Sequence, residues 1–291
     1  MTMPRIGFIG QGWIGRHYAD DFEHRGFSVV RYGLEPEYAA AKEVISTCDI
    51  VFVAVPTPTR DGTCDTSIIE EVLPLIRDGR IAVIKSTILP GTTNSLQKRF
   101  PKLLLLNSPE FLREANAAHD AAHPERTLIG IPEDTMRYHE AAKAVLLVLP
   151  PAPYVRVVSA QAAELVKYAG NVFLSIKVVY ANLLYELANS LDVPYESVRE
   201  ALAADPRIGS SHLSVHAVSG HGGKGGRGAG GHCFIKDLEA FRTFFEATVP
   251  DDIGSALLTE IVRKNNQLLV DSEKDLELLH EVYGTNHPLI P

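Results

Sequence analysis

The sequence has 291 residues, 45% of them hydrophobic and 22% charged, enough for two modest domains with buried cores. Its formal net charge of −8 argues against nucleic acid as a partner, because phosphate binding needs a basic surface. Its three cysteines form neither a disulfide framework nor a zinc-type C-x-x-C pair, and no apolar run is long and charge-free enough to cross a bilayer.

In chain order, Arg5 to Ile9 predicts a buried first strand, Trp13 to Glu23 a helix, Phe27 to Tyr32 a second strand and Ala39 to Ser46 a short helix. Asp49 to Val55 is apolar throughout its core, the pattern of a parallel strand covered on both faces. Ile81 to Lys85, Leu103 to Leu106 and Thr127 to Ile131 repeat it, with short helices between. The alternation implies an α/β fold, an N-terminal Rossmann-type doubly wound parallel sheet. The pattern changes near Pro150 to Pro153. From about Gln161 to Leu191 runs one long helix, apolar on nearly all faces and therefore expected to be buried. A helix at Tyr195 to Ala203, a glycine-rich loop from Ser219 to Gly231 and helices at Phe234 to Ala247 and Ile253 to Val282 complete an all-helical domain. The division expected is residues 1–154 and 155–291. The first residues lead straight into a strand without a signal-peptide pattern, so a cytoplasmic location is expected.

Gly10-x-Gly12-x-x-Gly15 lies between a strand and a helix, the context in which this fingerprint holds a dinucleotide. Gly10 permits the turn, Gly12 lets backbone approach a pyrophosphate and Gly15 lets helix and strand pack closely. Glu35, twenty residues after Gly15, stands near the spacing for a ribose-diol partner, which favours NAD; Arg31 would suit a 2′-phosphate. Lys167 and Asn171 lie four apart on the long helix and share a face. Spacing alone leaves two readings, paired donors for a developing oxyanion or a lysine reaching solvent. Cys233 and Asp237 are also four apart, at the start of a helix whose N-terminus would favour thiolate; the alternative for Cys233 is a small buried apolar residue. Asp237 would pair with Lys167 or position a water. Four histidines near the glycine loop are too irregularly spaced for a metal site, so none is expected.

Beyond the fingerprint, several segments carry a recognisable order. They are Val55-Pro56-Thr57-Pro58, Lys85-Ser86-Thr87 with Pro90-Gly91-Thr92, and Ser108-Pro109-Glu110-Phe111-Leu112-Arg113-Glu114. After them come Glu164-Leu165-x-Lys167-Tyr168-x-x-Asn171, Asp205-Pro206-Arg207-Ile208-Gly209 and Gly230-Gly231-x-Cys233-Phe234-x-Lys236-Asp237. The sequence resembles the UDP-glucose and GDP-mannose 6-dehydrogenase family of nucleotide-sugar dehydrogenases across nearly its whole length. The resemblance implies an NAD-dependent four-electron oxidation of a sugar C6 alcohol to a carboxylate, most simply on UDP-glucose or a related UDP-sugar. In that reaction Cys233 would form a thiohemiacetal and then a thioester, Lys167 and Asn171 would stabilise oxyanions, and Asp237 would hold Lys167 and assist water. Glu114, with Thr87 through a water, would serve proton transfer. Cofactor contacts are implied at Gly10, Gly12, Trp13, Ile14, Gly15 and Glu35, and at Pro56, Thr57, Ser86 and Thr87. Substrate contacts are implied at Glu110, Phe111, Leu112, Arg113, Lys167, Asn171 and Gly230, with Arg207 reaching in from a partner subunit of a homodimer.

The sequence departs from the family in two ways. It stops after the helical domain, reading as a truncated form without the family's C-terminal nucleotide-gripping domain, and the loop before Cys233 is long. Lys224 and Arg227 on that loop are candidates to bind substrate phosphate in compensation. Two other readings stay open: the same chemistry on a nucleoside or sugar phosphate, and a catalytically silent assembly or regulatory derivative. A β-hydroxyacid dehydrogenase also carries a lysine and asparagine four apart, but needs no cysteine and would yield one NADH per substrate.

Overall fold

The protein is described by a computed structural model that covers residues 3–60, 62–219, 224–285 and 287–290. Its chain forms two compact units, Met1–Thr57 with Asp65–Lys167, and Pro58–Cys64 with Tyr168–Pro291.

The first unit opens with β1 (Ile6–Ile9), α1 (Trp13–His24) and β2 (Val29–Tyr32). Where the sequence predicts one helix from Ala39 to Ser46, a short helix α2 (Pro36–Ala39) ends at its first residue and a 3-10 turn (Glu43–Thr47) covers its last part; Pro36 starts α2, and no apolar stripe long enough for continuous helix follows. Then come β3 (Ile50–Val53), α3 (Ser67–Val72), β6 (Ile81–Ile84), α4 (Thr92–Arg99), β7 (Leu104–Asn107), α5 (Ala117–Ala122), β8 (Arg126–Ile131), α6 (Met136–Val148) and β9 (Tyr154–Ser159). The seven-stranded sheet has the order β2-β1-β3-β6-β7-β8-β9. All pairings are parallel except β7 with β8, which meet antiparallel at Asn107 and Gly130. Strands β1 and β3 are buried at every position, as expected of strands with both faces covered. The core includes Phe8 stacked on Phe52 at 4.9 Å and edge-on to Phe22 at 5.4 Å. Strand β9 is absent from the sequence reading. It follows three prolines, alternates exposed and half-buried residues, and lies at the edge of the sheet, so it has no continuous apolar run to betray it.

The order reverses at β1, which has β2 on one side and β3 on the other. This switch point is where an open α/β sheet leaves a crevice beyond its strand ends. The Gly10–Gly15 turn follows β1, and Val55-Pro56-Thr57 follows β3, so both motifs emerge there.

The second unit contains a two-stranded hairpin, β4 (Thr59–Arg60) and β5 (Thr63–Cys64), which no sequence pattern announced. Helix α7 (Ala160–Ser190) starts in the first unit and continues into the second, which goes on with α8 (Tyr195–Ala203), α9 (Gly231–Thr248), α10 (Asp252–Asp271) and α11 (Leu276–Tyr283). The predicted single helix from Ile253 to Val282 is broken at Ser272 to Asp275, where Glu273 and Asp275 adopt left-handed φ values of 52°. No glycine or proline marks that break in the sequence. Asp251 caps α10, accepting from the N–H groups of Ile253 and Gly254.

Helix α7 has an inverted character. Its polar residues Glu164, Lys167, Asn171, Ser175, Asn182 and Glu186 follow one another at three- to four-residue spacing or multiples of it, and four of them are buried. Phe173, Tyr180 and Leu187, seven apart on another face, are 66%, 56% and 55% exposed. The expected all-round burial is therefore incomplete: within one chain an apolar stripe of α7 stays in water.

Candidate active site

In the first unit the fingerprint glycines divide by what surrounds them. A Cβ on Gly10, whose φ is +91°, would overlap the Ala54 carbonyl, and one on Gly15 would overlap the Gly10 carbonyl. These two are glycines because backbone meets backbone. Gly12 is different: it caps α1 with φ −68° and ψ −168°, and a Cβ there would meet nothing within 4 Å. Neither strain nor packing requires it, and the open space there leaves room for a pyrophosphate to approach the first N–H groups of α1, at Trp13 and Ile14. That arrangement fits a dinucleotide. Glu35 stands three residues beyond β2, its carboxylate over Gly33. Arg31 is committed elsewhere, 2.7 Å from both Asp20 and Glu23 of α1.

Beyond β3 and β6 the motif hydroxyls brace the strand ends. Thr57 donates to the Thr87 carbonyl at 2.7 Å and Ser86 to the Val55 carbonyl at 2.7 Å, while Pro56 is exposed. Past β7, Glu110 is 4% exposed and its Oε1 accepts from Lys167 Nζ at 2.6 Å. Its other oxygen accepts the Leu112 N–H at 2.7 Å. Burial alone would push the Glu110 carboxyl up, but Lys167, the Leu112 amide and Lys85 outweigh it and hold the group below its usual value. The Phe111 ring lies 5.9 Å from Lys167 Nζ and 3.8 Å from the Arg126 guanidinium. Arg113 is exposed and paired with Asp120 at 2.6 Å, and the half-buried Glu114 begins a 3-10 turn. One turn before Lys167, Glu164 caps α4: it accepts from Gly91 N at 2.6 Å, Thr93 N at 2.8 Å and Thr93 Oγ1 at 2.6 Å.

In the second unit Asn171 donates to Asp237 Oδ2 at 2.6 Å, and Lys236 pairs with Asp237 Oδ1 at 2.5 Å. Asp237 is 1% exposed. Cys233 is the third residue of α9 and half-buried, while Cys48 and Cys64 are buried. Burial depresses the Lys236 ammonium, but Asp237, Cys233 and Cys64 outweigh that and raise it. The hairpin lies against this helix, with Thr59 Oγ1 donating to the Lys236 carbonyl at 3.0 Å. Within the first unit Lys167 pairs with Glu110, and within the second Asp237 holds Asn171 and Lys236. Sequence spacing offered no signal for the Lys167–Glu110 or the Asn171–Asp237 pairing.

The cationic candidates elsewhere have local partners. Arg207 pairs with Asp205 at 2.6 Å, Arg227 with Glu186 at 2.6 Å and with Asn182 at 2.8 Å, and Lys224 with Glu273. Gly230 caps α9. Gly220 to Gly223 of the glycine-rich loop, with His221, lie outside the described residues. Among the described residues no group of three or more His, Cys, Asp or Glu is placed to hold a metal ion, and no helix is long and apolar enough to cross a membrane.

Two sequence models decide the family. Residues 33–146 match the NAD binding domain of the UDP-glucose/GDP-mannose dehydrogenase family, and residues 161–267 match its central domain. The chain belongs to this family. The glycine fingerprint precedes the first matched segment, and residues 268–291 follow the second. UDP-glucose 6-dehydrogenase of Pseudomonas aeruginosa is 31% identical over 268 residues, covering 84% of this chain and 53% of that protein. The enzyme of the same name from Rhizobium meliloti is 32% identical over 213 residues, covering 68% of this chain and 46% of that protein. The chain therefore spans about half the length of these relatives. Among solved structures, a UDP-glucose dehydrogenase from Pyrobaculum islandicum superposes with a TM-score of 0.76 at 29% identity, covering 91% of this chain and 68% of that one. A Mycobacterium tuberculosis 3-hydroxyisobutyrate dehydrogenase, 16% identical with a TM-score of 0.67, covers 97% of this chain and 98% of that one, and shares the fold.

Proposed function

We propose that this member of the family is an NAD-dependent nucleotide-sugar 6-dehydrogenase that oxidises a C6 primary alcohol to a carboxylate, with UDP-glucose or a related UDP-sugar as substrate. The observation that carries the reading is the buried Asp237, which ties Asn171 of α7 to the helix that presents Cys233. Gly10, Gly12 and Gly15 with the first turn of α1 hold the pyrophosphate, and Glu35 takes the ribose diol. The engagement of Arg31 with two carboxylates leaves it no role for a 2′-phosphate, which supports NAD over NADP. Bound NAD supplies the hydride acceptor for both oxidations.

The chain's own groups do the rest. Lys167 and Asn171 donate to the oxygen that gains charge at C6. Glu110 holds the Lys167 amine in place, and Asp237 orients the Asn171 amide. The Cys233 sulfur adds to the aldehyde carbon to give a thiohemiacetal; loss of hydride from that carbon leaves a thioester. Water then displaces the sulfur, releasing the carboxylic acid and regenerating the thiol, with Glu114 and Asp237 as the carboxylates that take and return protons. The exposed Phe173–Tyr180–Leu187 stripe of α7 supports a homodimer, since a contiguous apolar face of this kind is stable when covered by a second copy.

The test is NADH stoichiometry with UDP-glucose, GDP-mannose, UDP-N-acetyl sugars and simple sugar phosphates. Two NADH per substrate are expected from the wild-type chain, and Cys233→Ser is expected to stop or stall before the thioester. Full four-electron turnover by Cys233→Ser refutes the mechanism, and one NADH per substrate from the wild type favours simple alcohol oxidation.

A further inference from the structure

The helix that presents Cys233 is held at its start by Asn265 and by Ser272 to Asp275, the latter lying beyond the matched central domain. The backbone leading into α9 is engaged at four successive places by side chains from the end of α10 and the turn after it. The Arg227 N–H donates to Ser272 Oγ at 2.9 Å. The Gly228 carbonyl accepts from Lys274 Nζ at 2.9 Å. Ala229 exchanges two hydrogen bonds with the Asn265 amide, at 2.7 and 3.0 Å. The Gly231 N–H, first of α9, donates to Asp275 Oδ2 at 2.8 Å, and the same oxygen accepts from Ser219 Oγ.

Three features argue that this is a specific fitting and not incidental packing. Lys274 is 3% exposed, and burial pulls its ammonium below the usual lysine value, with Asp275 opposing; a cation is put there at a cost. The residues either side of it, Glu273 and Asp275, take left-handed φ values; aspartate tolerates this, but glutamate adopts it only under constraint. The loop glycines, moreover, are shaped to the same turn. A Cβ on Gly226 would come within 2.6 Å of Ser272 Oγ and 2.9 Å of Lys274 Cβ, and one on Gly230 would overlap Asp275 Oδ2. At these two positions the glycine run is explained by close approach of the turn, with no bound anion required.

We infer that Ser272 to Asp275 form a clamp that fixes the start of α9, and that Lys274 and Asp275 are positioning residues for Cys233. Cys233 lies two residues after the Gly231 N–H that Asp275 receives, so the clamp sets where the first turn of the helix points its sulfur. The inference rests on the reading of Cys233 as the nucleophile, but one arm of its test does not depend on turnover.

The experiment compares wild type, Asp275→Ala, Asp275→Asn and Lys274→Met. It reads the rate of iodoacetamide alkylation at Cys233 by peptide mass spectrometry, with kcat, KM for substrate and circular dichroism alongside. Asp275→Ala and Lys274→Met are expected to change the alkylation rate at Cys233 at least threefold and to lower kcat about tenfold or more, with helix content retained and KM for NAD unchanged. Asp275→Asn keeps an oxygen to accept the Gly231 N–H and tolerates a left-handed φ, so it is expected to restore both readouts to within about twofold of wild type. Wild-type alkylation in both Asp275→Ala and Lys274→Met overturns the clamp, as does an Asp275→Asn chain as impaired as Asp275→Ala. A clamp confirmed by alkylation in a chain whose Cys233→Ser variant still turns over fully would overturn the role of Cys233 and leave the clamp standing.

Discussion

Lys85 offers the sharpest quantitative test of the first unit. Its side chain is buried, with Nζ 4.2 Å from the centroid of the Tyr18 ring and 3.4 Å from Ser108 Oγ. Burial strips water from the ammonium and lowers its pKa from 10.5 to about 7; the Glu110 carboxylate pulls it back and Lys167 pushes the same way as burial. A lysine that is neutral in the fold above about pH 7 and charged in the unfolded chain up to 10.5 leaves the unfolded state with more bound protons between those values. Stability from this group therefore rises with pH through that window, by up to about 1.4 kcal/mol per pH unit, and is lost as pH falls towards 7. The whole span is worth roughly 5 kcal/mol at about 1.4 kcal/mol per pH unit, of which the attraction of the Tyr18 face offsets about 1–2 kcal/mol. Lys85→Met removes the titration and keeps the volume. Its stability relative to wild type should be most favourable near pH 6 and should decline by about 3–4 kcal/mol as pH approaches 10.5. Urea denaturation across that range, followed by fluorescence of Trp13, the one tryptophan of the chain, measures the difference in the unit that contains both residues. A difference between variant and wild type that does not vary with pH would refute the argument.

Gly15→Ala should lower stability by about 1–3 kcal/mol through overlap with the Gly10 carbonyl, seen as a fall in melting temperature. Gly12→Ala should cost no more than about 1 kcal/mol yet weaken NAD binding at least tenfold by calorimetry, since nothing in the protein opposes that methyl group; equal loss of stability in the two variants would contradict the division. Glu164→Ala leaves the Gly91 and Thr93 N–H groups and the Thr93 hydroxyl without their acceptor and should cost about 2–4 kcal/mol. Because the first turn of α4 depends on that cap, hydrogen exchange should also speed up at the N-terminus of α4, and unchanged protection there would count against it.

The elements carrying the candidate residues were legible where burial is uniform. Strands β1, β3 and β6 are short apolar runs because both faces are covered, and such runs identify themselves. What depends on partners remote in sequence was not legible. Strand β9 exists because β8 pairs with it, not because its own residues demand it. The hairpin at 59–64 packs against α9, some 170 residues later, through Thr59 and Thr243. The four-residue spacings correctly placed Lys167 with Asn171 on α7 and Cys233 with Asp237 on α9, because helix geometry is local. Which carboxylate meets which cation is decided by the fold, and the pairing of Lys167 with Glu110 in the first unit left no trace in the sequence spacing. The break between α10 and α11 carries no glycine or proline; its turn is hydrogen-bonded instead to the loop before α9, which is remote in sequence.

The polar seam along α7 also governs how the helix can be seated. Glu164, Lys167, Asn171, Asn182 and Glu186 each meet a different set of groups, respectively the α4 cap, Glu110, Asp237, Arg227, and Arg227 with Lys264. A slip of one turn, about 5.4 Å, would part all five from these groups at once and strand the buried Glu164, Lys167 and Asn182 without partners. An oily seam could slide and still bury the same area; this one has a single acceptable register, like a key whose every tooth has its own ward.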